Sequence, residues 1–437
     1  LNQRFARFFN IEAEEVRPVC SGLILFFLLF AGYFMLRPVR ETMGIAGGVD
    51  KLQWLFTATF VFTLAALPLY GWLATRVQRR RILPWTYGFF AMNLLVFAVG
   101  FQIAPENLWY ARAFYVWLSV FNLLAISVAW SVLADVFAVE QAKRLFAMMA
   151  GGASLGGLTG PILGTVLVKP IGHAGLLILS AAMLLGAIVA AQSVRRWRDL
   201  HPLRAEEKIP ASRPLGGSPF AGATEVLRSP YLLGIAAFVL LLASVNTFLY
   251  FEQAQLVATH FPDRTEQTRV FGMLDTIVQT LSILTQLFLT GRIAQRLGVG
   301  VLLVAVPLVV AAGFLWLALA PTFAVFAIVM VFRRAGEYAL VRPGREMLFT
   351  AVTAEAKYKA KNFIDTVVYR GADAVSAWVK TLIEMIAHHP AVAALIGAVL
   401  SLAWAFNGLV LARAQRRLAA SAETESVDRN AERPPTQ

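Results

Sequence analysis

Apolar residues in this chain gather into long blocks separated by short polar connections. A block of about 20 residues, rising about 1.5 Å per residue, spans a hydrocarbon core of about 30 Å, and a helix satisfies its own backbone polar groups there. The pattern predicts about twelve such helices: Val19–Thr42, Leu52–Thr75, Ile82–Ile103, Leu108–Phe137, Leu145–Val168, Ala174–Val194, Tyr231–Thr259, Val270–Ala294, Val299–Ala320, Thr322–Thr350, Phe363–Ala387 and Ala391–Ala412. The block at Phe363 is the least apolar, because Asp365, Arg370, Asp373 and Lys380 interrupt it. The fold class implied is an all-α membrane protein.

One long polar stretch, residues 195–229, contains Pro210, Pro214, Gly216, Gly217 and Pro219 and divides the helices into two sets of six. Residues 1–17 read as an amphipathic lead-in lying on the membrane surface, 18–194 and 230–414 as two six-helix bundles, and 195–229 as a cytoplasmic linker. The polar tail 415–437 is expected to be disordered. The halves echo each other locally. GWLATR at 71–76 corresponds to GRIAQR at 291–296, and AVEQAKR at 138–144 to AVTAEAK at 351–357. Parallel halves of this kind are the pattern of two-domain transporters whose site lies near the membrane midplane between the halves.

Composition agrees with a bilayer protein: 58% of residues are hydrophobic and 15% charged. The net charge of +13 suggests nucleic acid at first sight, yet the basic residues stand in the connections after alternate helices. That distribution sets orientation, and the positive-inside rule puts both termini in the cytoplasm of a multi-pass protein of the cell's inner (plasma) membrane. No nucleic-acid partner is expected. Cys20 is the single cysteine, so one chain has no disulfide framework or thiolate metal cluster.

Two charged segments stand inside the apolar sequence. YFMLRPVRE, Tyr33 to Glu41, places Arg37, Pro38, Arg40 and Glu41 near the end of the first helix. YALVRPGRE, Tyr338 to Glu346, repeats the arrangement in the tenth with Arg342, Arg345 and Glu346. A charge at mid-bilayer costs about 2.5–3.5 kcal/mol on translocon scales, so such residues mark function unless they snorkel to the interface. The spacing of four pairs Arg37 with Glu41 and Arg342 with Glu346 along one helix face. Each proline removes a backbone donor and frees a carbonyl that must find water, a ligand or a neighbouring helix.

Glu252, Asp275, Arg333, Arg334 and Glu337 add charges in the seventh, eighth and tenth helices, and Arg370 and Asp373 are spaced for a pair in the eleventh. Guanidinium groups favour planar, bidentate binding of carboxylate or phosphate oxygens. The substrate-binding candidates are therefore Arg37, Arg40, Glu41, Glu252, Arg334, Arg342, Arg345 and Glu346, with Glu252 orienting an arginine or carrying a coupling proton. The expected partner is a small anionic solute, and a monomer in the bilayer is the expected state. Asp135, Gly156, Gly160, Pro161, Asp275, Arg370 and Asp373 are candidates for gating or packing. In GGASLGGLTGPILG, at 151–164, glycines four apart let a helix approach its neighbour closely, and the Lys-Ser/Thr of a phosphate loop is missing. His388 and His389, before Pro390, read as exposed turn residues. With no nucleophile–base pair, metal-ligand spacing or cofactor motif, no enzyme, metal or cofactor is expected.

The connection GWLATRVQRRRIL resembles the short loop motif of the major facilitator superfamily without its acidic residue, and Gly156, Gly160, Pro161 and Gly164 resemble the glycine-proline pattern of antiporters there. From roughly Phe8 to Trp378 the chain resembles the ATP:ADP antiporter family of nucleotide transporters, distantly related to that superfamily. The resemblance is carried by YFMLRPVRE, the AKR at 142–144, FEQAQLVATHFP with RVFGMLD, YALVRPGREM, and KYKAKNFIDTV. It implies a major-facilitator-like fold and alternating-access exchange of ATP- and ADP-type nucleotides or a related phosphorylated anion. Arg40 and Glu41 match the family's Lys-Asp pair, Glu252 its helix 7 glutamate, and Arg345, Glu346 and Met347 its Lys-Glu-Met. Two lysines have become arginines, and Leu118 and Ser119 stand near where the family has an acid in helix 4. The alternative is a proton-coupled major-facilitator carrier or antiporter for another organic solute.

Overall fold

The computed structural model describes residues 12–201, 220, 222–386 and 390–431, and these are helical almost throughout, with no strand among them. In chain order the helices are α1 (Val16–Ala46), α2 (Leu52–Arg76), α3 (Arg79–Ile103), α4 (Leu108–Val136), α5 (Val139–Leu200), the short α6 (Ala223–Arg228), α7 (Pro230–His260), α8 (Arg264–Leu297) and α9 (Val299–Leu319). α10 covers 323–348, as Phe323–Gly336, a π-helical turn Glu337–Val341, and Arg342–Leu348. α11 covers 354–386, with a π-helical turn at Ile364–Val368, and α12 is Pro390–Ala431.

Nine helices among the described residues are long and apolar enough to cross a bilayer. α5 counts once among them although it holds two spans. Gly172 interrupts it with φ 66°, a left-handed conformation that glycine adopts without a Cβ clash. The contacts along α1 show the consequence. Gly156 and Gly160 of α5 meet Phe27 and Ala31 in ascending order, whereas Gly186 meets Leu28 and Ser193 bonds Ser21, in descending order. The chain therefore reverses at Gly172, and both arms pack on α1. α10 and α11 fall outside the nine because of their charges.

The chain forms two compact units, Leu1–Ser218 with Val257–Gln279, and Pro219–Leu256 with Thr280–Gln437. The break near Ser218 falls in the linker region, and the end of α7 and the first part of α8 belong to the first unit. Polar contacts hold the start of α8 there: Thr42 Oγ1 lies 2.7 Å from Thr268 Oγ1, Lys169 pairs with Glu266 at 3.1 Å, and Arg264 with Glu106 at 2.9 Å. In this unit α1 buries Leu25, Phe26, Leu29, Met35, Leu36 and Val39, as a helix enclosed by neighbours must. The second unit packs around Phe238, Leu303, Phe314 and Trp404.

Of the lead-in, residues 12–17 are described. They differ from a surface-lying helix, because Glu15 is buried and accepts from Arg144 and Gln141, each at 2.8 Å. Residues 1–11, linker residues 202–219 and 221, and His388 and His389 lie outside the described residues. The start of the linker, to Leu200, continues α5. The tail expected to be disordered is instead helical to Ala431, since Ala, Leu, Arg, Gln and Glu favour a helix whatever their polarity.

Candidate functional site

In the first unit, Pro38 lies inside α1 without ending it. Arg40 donates to Glu41 at 2.9 Å and to Ser119 of α4 at 3.3 Å, and its guanidinium stands 4.8 Å from the centre of the Tyr115 ring. A serine hydroxyl and an aromatic face of α4 thus stand against this arginine. Arg37 pairs with Asp275 of α8 at 3.7 Å. The expected Arg37–Glu41 pair does not form. Arg40, next to the acid in sequence, takes it, and Arg37 turns to another helix.

The second copy also departs from the i,i+4 expectation. Arg342 reaches Glu337 at 3.4 Å, five residues back, because the intervening turn is π-helical and brings i and i+5 onto one face. Glu337 also accepts from Arg333 at 3.0 Å. Glu346 is taken by Lys361 at 2.7 Å, and Arg345 pairs with Asp365 of α11 at 3.1 Å. Arg334 is buried beside Arg333. Arg370 and Asp373 pair at 3.4 Å, with Thr247 of α7 donating to the other carboxylate oxygen.

Pro343 explains the π turn. It cannot donate to the carbonyl of Ala339, four residues back, and its ring crowds that carbonyl. Thr290 of α8 donates to it at 2.8 Å, and Gln286 donates to Tyr338 O at 3.0 Å. Both donors sit in a further π-helical segment, Gln286–Thr290. The carbonyl freed by the proline is satisfied by a neighbouring helix.

Glu252 does not orient an arginine. It accepts from Lys380 of α11 at 2.8 Å, a residue whose charge counts against this helix in a hydropathy reading. Lys380 belongs to a polar stripe of Asp365, Tyr369, Asp373, Ser376, Lys380 and Glu384, spaced by three and four residues on one face of α11. Its partners on α7 are Ser244, Asn246, Thr247, Glu252 and Gln255. Val375, Val379, Leu382 and Ile386 are exposed on another face of α11, as lipid contact requires. The signal for the stripe lies in the sequence spacing, but its partners follow only from the packing.

Of the packing candidates, Gly156 and Gly160 lie against the backbone of α1, and Pro161 is buried beside them. Asp135 is exposed at the end of α4, within electrostatic reach of Arg195. The described residues contain no group of three or more His, Cys, Asp or Glu placed to hold a metal ion.

Long apolar helices in two units, with ion pairs set among them, define an all-α membrane protein. The family model of the Major Facilitator Superfamily matches residues 22–341, and the chain belongs to that superfamily. Multidrug resistance protein 3 of Bacillus subtilis (strain 168) is 23% identical over 164 residues, covering 37% of this chain and 31% of that protein. The match thus spans about a third of the length of that curated relative. Among solved structures, a bacterial homologue of the human lysosomal transporter Spinster, inward-facing and unoccupied, aligns over 94% of this chain and 96% of its own, with 15% identity and a TM-score of 0.56. A POT family transporter in complex with 5-aminolevulinic acid aligns over 90% and 96%, with 12% identity and a TM-score of 0.61. Such identities speak for the fold. The matches support a transporter of this superfamily, not an enzyme, and give no support to the ATP:ADP antiporter branch that the arginine segments resemble.

Proposed function

We propose that this chain is a secondary transporter that carries an organic anion, a solute with a carboxylate or phosphate group, by alternating access and in a proton-coupled manner. One observation carries the choice of an anion. In α10 and α11 the guanidiniums of Arg333, Arg342, Arg345 and Arg370 gather on two neighbouring membrane helices, paired with Glu337, Asp365 and Asp373. The Lys361–Glu346 pair at their edge is neutral. In the first unit Arg37 and Arg40 are balanced by Asp275 and Glu41. Guanidiniums gathered within membrane helices offer planar, bidentate sites for carboxylate or phosphate oxygens, which an anionic solute fills. Arg345 and Arg342 are the foremost solute contacts, with Arg334, Arg37 and Arg40 as further candidates.

Exchange of nucleotides is the second reading. The paired LRPVRE and LVRPGRE segments favour it, since the guanidinium fork suits phosphate oxygens. Both readings include an inner-membrane location with cytoplasmic termini. The test is uptake by proteoliposomes from a panel of dicarboxylates, sugar phosphates and nucleotides, with and without a pH gradient. Accumulation of a carboxylate or phosphate solute that follows the pH gradient supports the first reading. Release of labelled ATP only against external nucleotide supports the second, and flux of cations alone refutes both.

A further inference from the structure

Lys380 has 1% of its side chain exposed, and its Nζ lies 2.8 Å from Glu252 Oε1 on α7 and 2.9 Å from Glu384 Oε1, one turn further along α11. Gln255 of α7 donates to the same oxygen of Glu384 at 3.0 Å. One ammonium therefore faces two carboxylates, and the group carries a surplus negative charge between two membrane helices. The side chains of Glu252 and Glu384 are 19% and 33% exposed, so neither is sealed in the protein interior.

Among the described residues of α7, α11 and α12, the next charged groups do not remove the surplus. Towards the start of α11 the next charges, Arg370 and Asp373, pair with each other. α12, packed against α11, has no acid or base between Pro390 and Ala412. Besides Glu252, α7 carries His260, about two turns beyond it, and the phenols of Tyr231 and Tyr250, and His388 and His389 follow α11 in the sequence outside the described residues.

Resting on the carrier reading, we propose that Glu252, Lys380 and Glu384 bind one proton between them and form the coupling site of transport. The proton adds to an oxygen of either carboxylate, leaving one neutral acid and one neutral Lys–Glu pair. When the proton sits on Glu252, Lys380 is held only by Glu384 of its own helix, and the tie between α7 and α11 loosens. A metal cation fits poorly, because it needs a shell of several oxygens while Lys380 already occupies one oxygen of each carboxylate and repels a second cation.

Glu252→Gln and Glu384→Gln each put a neutral amide where the surplus charge stands, so either alone should abolish proton binding in the full-length protein. Infrared difference titration in lipid nanodiscs should show, on acidification, a carboxylic C=O band in the unsubstituted protein that both variants lack. Retention of the full band by both overturns the proposal. In proteoliposomes both variants should lose pH-driven accumulation by about tenfold or more, the scale of a typical coupling free energy, and Glu384→Gln should retain counterflow without a gradient. Unchanged accumulation by both, or accumulation driven by sodium in place of protons, also overturns it. An unsubstituted protein that moves no anion of the panel counts against the carrier reading, and the infrared titration then decides the proton site by itself.

Discussion

Thr290 donates its hydroxyl hydrogen to the carbonyl of Ala339 at 2.8 Å, the carbonyl that Pro343 deprives of its helical partner. Ala339 is fully buried, so no water replaces this bond. Thr290→Val keeps the side-chain shape and removes the donor, and should lower stability by about 1–3 kcal/mol, the cost of a buried polar group left unpaired. The thermal midpoint of detergent-purified protein checks this, and Thr290→Ser should recover most of the loss.

Glu337 serves two arginines, Arg333 at 3.0 Å and Arg342 at 3.4 Å. Glu337→Gln strips both of their shared counter-charge, whereas Arg342→Gln leaves the Arg333–Glu337 pair intact. Breaking a buried pair from one side costs about 3–5 kcal/mol, and the half-exposed Arg342 should cost well under that. The expected order of destabilisation is therefore Glu337→Gln above Arg342→Gln, measured by thermal melting of both variants. Equal losses would show that Arg342 dominates the group.

A methyl group at Gly156 would stand 2.5 Å from the carbonyl oxygen of Phe27, and one at Gly160 would stand 2.6 Å from that of Ala31. These neighbours are backbone of α1, which cannot yield as a flexible side chain does. Gly156→Ala and Gly160→Ala should each cost about 1–3 kcal/mol through overpacking. Gly151→Ala meets nothing within 4 Å and should be neutral or stabilising by up to about 1 kcal/mol through helix propensity. Melting curves of the three proteins side by side distinguish packing from propensity.

Arg345 is held by Asp365 at 3.1 Å on a side chain 15% exposed. If it binds the anion, Arg345→Ala should raise the KM for uptake by roughly ten- to a hundredfold, the equivalent of a charged hydrogen bond of about 1.5–3 kcal/mol. Arg345→Lys should restore only part of the affinity, since an ammonium lacks the planar fork. Uptake kinetics in proteoliposomes, normalised to inserted protein, check both variants. An unchanged KM in Arg345→Ala removes this residue from the solute site.

The apolar blocks by themselves determined that the chain is a helical membrane protein in two sets, because about 20 apolar residues in a row have few other stable environments. The two arginine segments, the glycine spacing of α5 and the least apolar helix could likewise be read from the sequence. Partner choice could not. Arg37 and Glu41 are correctly spaced for a pair, yet adjacency gives Glu41 to Arg40, and Asp275, far away in the chain, reaches Arg37. Pro343 announces a freed carbonyl, but the π turn it produces shifts Arg342 from Glu346 to Glu337, a change of register that i,i+4 counting misses. Lys380 looked like a blemish in a hydrophobic span until α7 brought Glu252 beside it. Hydropathy is a local property and fixes where helices form. The pairing of charges depends on which helices lie side by side, and only tertiary packing decided that.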